Sequence, residues 1–167
     1  NNHCVDKFEY PNIPKGNALM DITLVDAQKA CLELGKHLCT NLEWEQACSG
    51  TELRRWPYGN TYNSSACHDL GDRRQEGGGN TVPSGSFKQC VTPEGIFDMS
   101  GNLWEWAQDD EDPTKGSLRG GGWNLSAGLG QCRVQAPANS TYHAGEVGFR
   151  CCANPQESDT LRRRNKQ

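Results

Sequence analysis

Residues 95–106 read Gly-Ile-Phe-Asp-Met-Ser-Gly-Asn-Leu-Trp-Glu-Trp, the most informative stretch of this chain. Two tryptophans flank a single glutamate directly after a Ser-Gly-Asn turn. Because side chains alternate between the two faces of an extended strand, Trp104 and Trp106 share one face and Glu105 points to the other. A carboxylate held between two large aromatic side chains needs a partner, and a cation is the expected one.

The composition predicts a single domain with much irregular structure. The chain has 167 residues, of which 34% are hydrophobic, with 19 Gly and 8 Pro. Its 5 Trp and 9 Cys supply large buried rings and covalent cross-links to a thin core. No Cys-x-x-Cys spacing occurs, so the cysteines indicate several disulfides and an extracytoplasmic location: secreted, periplasmic or on the cell surface. The odd number leaves at least one thiol unpaired or paired to another chain.

Charge and hydropathy exclude two classes of partner. The formal net charge of −4 argues against a nucleic-acid-binding surface. No run of eighteen apolar residues occurs, so no membrane span is predicted. The 4 histidines are scattered and form no metal-binding motif.

Two short helices are predicted in the first third of the chain. Thr23 caps the first helix, whose apolar residues recur at helical spacing until Gly35 ends it. Thr40 and Glu43 form a capping box for the second helix, which Gly50 ends.

The rest of the chain is predicted to be loop and short strands. Short strands are expected near residues 95–97, 103–107, 118–121, 132–135 and 148–152. The basic segment 155–167 is predicted to be a flexible tail, which leaves residues 1–154 as the domain.

Five segments, in this order, resemble the formylglycine-generating enzyme (sulfatase-modifying factor) family. They are Val25–Cys48 with its Asn-Leu-Glu-Trp-Glu block, Trp56-Pro-Tyr-Gly-Asn60, Gly95–Trp106, Leu118-Arg-Gly-Gly-Gly-Trp123 and Gly148-Phe-Arg-Cys151. The resemblance implies an α+β fold, a variant of the C-type-lectin-like fold. Such a fold has small twisted antiparallel sheets, two short helices, much ordered loop and, in this chain, several disulfides.

Known members of that family are copper-dependent oxidases that convert a sulfatase cysteine to formylglycine. They bind Cu(I) through two cysteines that follow the Gly-Gly-Ser-Trp/Tyr motif, since Cu(I) prefers paired soft thiolates. The matching positions here are Leu125 and Gly130, or Leu129 with a one-residue gap. Cys132 lies nearby and is expected to be a disulfide partner. The resemblance therefore implies a domain without the oxidase chemistry, and copper is not expected.

The family's structural calcium motif is better preserved. The resemblance implies Ca²⁺ ligands at Asp98, Gly101, Leu103 and Glu105, which combine carboxylate and carbonyl oxygens. The alternative is that Glu105 accepts hydrogen bonds from loop amides or pairs with an arginine such as Arg119.

The resemblance also implies a disulfide between Cys31 and Cys151. Two further bridges are predicted, Cys48–Cys132 and Cys67–Cys90, the second because these cysteines bracket much of the long loop. Adjacent residues of a strand point to opposite faces, so Cys151 and Cys152 are expected to hold two different elements. Cys4, Cys39 and Cys152 then share one bridge and one free thiol, in an order that the sequence leaves open.

Three N-glycosylation sequons occur, at Asn63, Asn124 and Asn139. If Asn124 carried a glycan, the sugar would sit where the family's substrate groove lies.

The favoured function is a non-catalytic, extracytoplasmic, calcium-supported module that binds a protein or forms part of a larger assembly. Its long loops on a cross-linked base suit recognition. The predicted binding surface comprises Trp56, Trp123, Asn124, Leu125 and the rest of the 124–131 loop.

Two alternatives remain. The first is a copper- or thiol-dependent oxidase acting on a protein cysteine, with Cys132 and either Cys151 or Cys152 as the reactive pair. The second is a carbohydrate-binding lectin-like module, although the sugar-binding Glu-Pro-Asn and Gln-Pro-Asp tripeptides of C-type lectins are absent.

Overall fold

The computed structural model describes residues 3–70, 80–126 and 128–154 and contains two helices and seven short strands. The predicted tail, residues 155–167, lies outside the described residues. The order is β1 (Cys4–Val5), α1 (Leu24–Glu33), β2 (His37–Leu38), α2 (Asn41–Ser49), β3 (Trp104–Gln108), β4 (Gly116–Arg119), β5 (Gln135–Ala138), β6 (Val147–Phe149) and β7 (Cys151–Ala153).

Both helices begin where their capping residues predict. The Thr23 hydroxyl accepts a hydrogen bond from the Asp26 N–H at the start of α1. At the start of α2, Thr40 and Glu43 make the reciprocal bonds of a capping box. Gly50 ends α2 with a φ of 62°, a conformation that glycine adopts without steric cost. None of the described helices has both the length and the apolar character needed to cross a membrane.

The strands form two small sheets. One has the order β1-β7-β2 with antiparallel pairing, and the other has the order β5-β4-β3-β6. Within the second sheet β3 and β6 run parallel, which departs from the antiparallel pairing we expected. The chain passes through β4 and β5 between these two strands, and so long a connection permits a parallel return.

The strand expected at 148–152 is divided at Arg150 into β6 and β7, which belong to different sheets, and the strand expected at 118–121 lies at Gly116–Arg119. Two further predicted strands also differ. The strand expected at 95–97 is reduced to a single bridge between Val91 and Phe97. The strand expected at 132–135 begins only at Gln135, because the Val134 N–H bonds to the Gln131 carbonyl in a turn.

The core contains two large apolar clusters. Trp104 and Trp106 both lie in the first, as the alternation along β3 predicts. The second contains Trp44, Met99 and the cysteines of two disulfides.

Eight of the nine cysteines form disulfides, and all nine lie in the described residues. The three predicted bridges, Cys31–Cys151, Cys48–Cys132 and Cys67–Cys90, are confirmed. The fourth joins Cys39 to Cys152, and Cys4 remains as an exposed thiol. The adjacent cysteines of β7 are therefore bound to two different segments, as predicted. Cys151 is bound to α1, and Cys152 is bound to Cys39, which directly follows β2.

Candidate functional site

Glu105 lies in a buried ion pair at the centre of the domain. Its Oε1 accepts a hydrogen bond from Arg150 Nη2 at 2.5 Å, and its Oε2 accepts one from Arg150 Nε at 2.7 Å. The indole Nε1 of Trp44 also donates to Oε2, at 2.7 Å. All three side chains are fully buried. The carboxylate on the far side of the tryptophan pair thus has the cationic partner that its burial requires.

Arg150 also holds two further segments through its remaining donors. Its Nη1 donates to the Asp6 carbonyl at 3.1 Å and its Nη2 to the Phe97 carbonyl at 3.0 Å. Arg150 was not among the site residues predicted from the sequence. A signal was present, because this arginine stands between apolar residues of 148–152 and a buried charge must be paired.

Arg119, the arginine we had named as the alternative partner of Glu105, pairs elsewhere. It stands opposite Glu105 in the β3–β4 ladder, but its Nη2 bonds to Glu45 Oε2 at 2.9 Å and its Nη1 to Gln135 Oε1 at 3.0 Å. Its guanidinium also lies 5.2 Å from the ring centroid of Trp44. Register alone does not determine which acid a long side chain reaches.

Three buried carboxylates, those of Glu9, Asp98 and Glu105, interact electrostatically with one another and with Arg150. Burial raises the pKa of the Glu9 carboxyl well above its usual range, and the charges of Asp98 and Glu105 add to this effect. Burial also raises the pKa of Asp98 to about 6. Three carboxyl groups thus share one guanidinium, and burial favours the neutral forms of Glu9 and Asp98.

Neutral hydrogen-bond donors also contact Glu9 and Asp98. Glu9 accepts hydrogen bonds from Ser84 Oγ at 2.9 Å and from Asn102 Nδ2 at 2.9 and 3.0 Å. Asp98 Oδ2 accepts the Gly85 N–H at 2.6 Å. These bonds favour the ionised forms, whereas burial opposes them.

The predicted calcium ligands fit a cation in charge and only partly in geometry. Asp98 and Glu105 supply negative charge on one short segment with Gly101 and Leu103. However, the Glu105 oxygens already accept three hydrogen bonds from Arg150 and Trp44. No group of three or more His, Cys, Asp or Glu that could hold a metal occurs in the described residues. The predicted set contains only two carboxylates, so calcium there stays a prediction.

The positions that match the family's copper ligands offer no sulfur. Leu125 is half-buried and packs against the first core cluster, and Gly130 is buried. Leu129 is partly exposed, and the nearby Cys132 is bound to Cys48.

The binding surface proposed from sequence is less exposed than expected, and for Trp56 the expectation of an exposed side chain is wrong. Trp56 is only 6% exposed, because its ring stacks on Tyr58, contacts Tyr62 at a tilt and is covered by the Arg55 guanidinium. Trp123, Asn124 and Leu125 are half-buried.

The three sequons differ in their surroundings. Asn63 and Asn139 are exposed, and each Oδ1 accepts hydrogen bonds from the N–H and hydroxyl of the residue two positions later, Ser65 and Thr141. Asn124 is half-buried, and its Oδ1 has no hydrogen-bond partner among the described residues. Glycosylation of the three stays a prediction.

Residues 10–155 match the family of the sulfatase-modifying factor enzyme 1-like domain, well over half of the chain. The chain belongs to this family.

Curated relatives in this family include active and inactive proteins. The hercynine oxygenase of Mycolicibacterium smegmatis is 27% identical over 145 residues, which cover 70% of this chain and 33% of that protein. The inactive C-alpha-formylglycine-generating enzyme 2 of Bos taurus is 26% identical over 163 residues, covering 89% of this chain and 52% of that one. The formylglycine-generating enzyme of Mus musculus is 25% identical over 165 residues, covering 81% and 44%. The chain spans a third to about half the length of these relatives.

Solved structures of the same fold confirm the α+β, C-type-lectin-like architecture. PvdO from Pseudomonas aeruginosa superposes with a TM-score of 0.67 at 20% identity, over 84% of this chain and 62% of that one. Treponema denticola variable protein 1 superposes with a TM-score of 0.60 at 23% identity, over 72% and 49%. At these identities the likeness concerns the fold alone.

Proposed function

We propose that this chain is a non-catalytic, extracytoplasmic member of its family that binds a protein partner or takes part in a larger assembly. The observation that carries the proposal is the state of the cysteines. Cys132, Cys151 and Cys152, the residues of the alternative oxidase pair, lie in three separate disulfides, and Cys4 is the one thiol left. Stable Cu(I) binding by this family needs two thiolates on one ion.

Two further observations support this proposal. The family includes relatives described as inactive, in Bos taurus and in Mus musculus, so membership does not require the oxidase reaction. Four disulfides in one small domain are typical of proteins that fold in an oxidising compartment outside the cytosol.

The first prediction concerns thiol number and copper. Because Cys4 is the one exposed thiol, titration with a thiol reagent should give one thiol per chain in the native protein and one after denaturation without reductant. Reduction before denaturation should give all nine. The native protein should take up no stoichiometric Cu(I). Two reactive thiols that bind one copper ion would instead favour the oxidase.

The binding part of the proposal needs its own measurement. Purification from the native source without a tag, followed by sedimentation analysis, should show this chain in a stoichiometric complex with a second protein. A chain that is monomeric throughout, in freshly prepared native extract, would contradict an assembly role.

We further propose that a structural calcium ion binds beside Asp98. The three buried carboxyl groups around Arg150 support this, because a divalent cation would stabilise their ionised forms. Residues Asp98 and Glu105, with carbonyl oxygens of Gly101 and Leu103, would hold the ion and rigidify the segment that leads into β3.

The calcium proposal predicts a stability difference. EDTA should lower the melting temperature of the native protein by roughly 5 °C, because a ligand that binds only the folded state stabilises it. Asp98→Asn should abolish that difference while leaving the Glu105–Arg150 pair intact. An unchanged melting temperature of the wild-type protein in EDTA would contradict the calcium proposal. Arg150 would then be the cation that balances the buried carboxylates.

A further inference from the structure

A groove with a volume of about 510 Å³ opens between β1, the end of α2 and residues 94–96. Its lining is mainly apolar and includes Val5, Ala47, Leu53 and Ile96, with Glu94 also lining it. It contains none of the residues that the family's chemistry or the predicted calcium site would use.

The floor of this groove is rigid. Val5 and Ile96 pack against the second core cluster, which contains the Cys39–Cys152 and Cys48–Cys132 disulfides. A groove on such a base keeps its shape before a ligand arrives, so little ordering free energy is lost on binding.

Leu53 is placed in the groove at a conformational cost. Its φ is 54°, in the left-handed region that side chains other than Gly, Asn and Asp rarely adopt. Its side chain is nevertheless 59% exposed, so burial does not offset the strain. An apolar side chain that is both strained and exposed is explained when a partner covers it.

The groove also has an acidic side. Glu52 and Glu94 both face the buried guanidinium of Arg54, at 4.0 Å and 2.9 Å, and both carboxylates are largely exposed. Two carboxylates against one guanidinium leave a net negative charge. A basic group on the occupant would complement this charge.

We propose that the groove binds an extended segment of a partner protein, which inserts a bulky apolar side chain beside Leu53 and places a neighbouring Lys or Arg against Glu94. The apolar lining matches the first requirement and the excess carboxylate the second. The inference rests on the protein-binding role proposed above, and it specifies the binding site and the chemistry of the bound segment.

A labelled probe peptide tests the chemistry of the occupant. The probe is Gly-Ser-Arg-Leu-Arg-Ser-Gly, and its binding to the full chain is measured by fluorescence polarisation. Two control peptides carry Glu-Leu-Glu or Arg-Ser-Arg at the centre. We expect the probe to bind at least tenfold more tightly than either control, and more weakly as salt is raised. Equal binding of the Arg-Ser-Arg control would mean simple charge attraction and would overturn the proposal.

Two matched leucines locate the site. Leu53→Asn should weaken probe binding at least tenfold and leave the melting temperature unchanged or higher, because Asn tolerates the left-handed conformation. Leu42→Asn makes the same change at a leucine that is 49% exposed on α2 and does not line the groove. It should change the affinity less than twofold. Equal effects of the two variants would place the peptide elsewhere.

Other occupants would give different results and overturn the proposal. A dimer that Leu53→Asn dissociates would identify a second copy of this chain. Tenfold tighter probe binding after Arg162, Arg163 and Arg164 are replaced by Ser would identify the chain's own basic segment. A native partner that stays bound to the Leu53→Asn protein would contradict the groove as the binding site but leave the protein-binding function intact. Two copper-binding thiols would instead contradict the proposed non-catalytic function.

Discussion

Glu105→Ala should lower the free energy of unfolding by about 3–5 kcal/mol, the largest effect we expect from a single substitution outside the cysteines. The variant leaves the Arg150 guanidinium fully buried, with no carboxylate on its Nε and only a carbonyl on its Nη2. It also leaves the Trp44 indole N–H without its acceptor. Urea unfolding followed by circular dichroism measures the loss.

Glu45→Ala is the matched control, because it removes the carboxylate that pairs with another buried arginine, Arg119. Glu45 is partly exposed, and Arg119 keeps its bonds to Gln135 and the Cys132 carbonyl. We therefore expect well under half the loss seen for Glu105→Ala. Equal losses would show that burial of the Glu105 pair does not determine its contribution.

A double substitution separates the pair from the unpaired charge. Glu105→Leu combined with Arg150→Met removes both charges and fills similar volumes. This protein should be more stable than Glu105→Ala alone, because the double variant also removes the buried guanidinium that the single variant leaves without its bonded carboxylate. Burial already raises the pKa of Glu9 and of Asp98 and so favours their neutral forms. A double variant no more stable than the single one would mean that the bonds of Arg150 to the Asp6 and Phe97 carbonyls, rather than its charge, hold the structure.

The helices could be predicted because their signals are local. The Thr40–Glu43 capping box joins residues three positions apart, so sequence alone contains all of its geometry. The same holds for the alternation that buries Trp104 and Trp106 on one face of β3.

The partner of Glu105 could not be predicted in the same way. Arg119, the arginine named from sequence, stands opposite Glu105 in the β3–β4 ladder, whereas the partner is Arg150, which lies in the link between β6 and β7. That choice depends on how the two sheets pack, which no local pattern specifies.

Two surface features were misread or missed for conformational reasons. A tryptophan in a loop looks exposed in sequence, but the turn after Trp56 folds Tyr58 and Tyr62 against its ring. The positive φ of the exposed Leu53 could not be predicted from the sequence, since leucine normally avoids this conformation.

The two bridges of β7 should protect each other. Cys31–Cys151 and Cys39–Cys152 each close a loop of more than a hundred residues, with sequence separations of 120 and 113. Because their ends are neighbours, one intact bridge reduces the loop that the other closes to residues 31–39 and 151–152. In the loop-closure model this short ring contributes about 3 kcal/mol. Once one bridge of β7 is lost, the other closes a ring of roughly 30–40 residues, because Cys48–Cys132 still shortens the loop, and it then contributes about 4 kcal/mol.

Each bridge replaced alone by two alanines should therefore cost about 3 kcal/mol, and both together about 7 kcal/mol, about 1 kcal/mol more than the sum of the single losses. Such a loss is comparable to the whole free energy of unfolding of an ordinary domain. The variant that lacks both β7 disulfides should therefore be largely unfolded at 37 °C. Urea unfolding of the single-bridge variants and of the combined one measures the coupling. The Cys67–Cys90 bridge, which closes a separate loop with a sequence separation of 23, is the control and should add to either one independently. Strict additivity of the β7 pair would contradict the shared-loop account, because independent bridges have no loop in common to shorten.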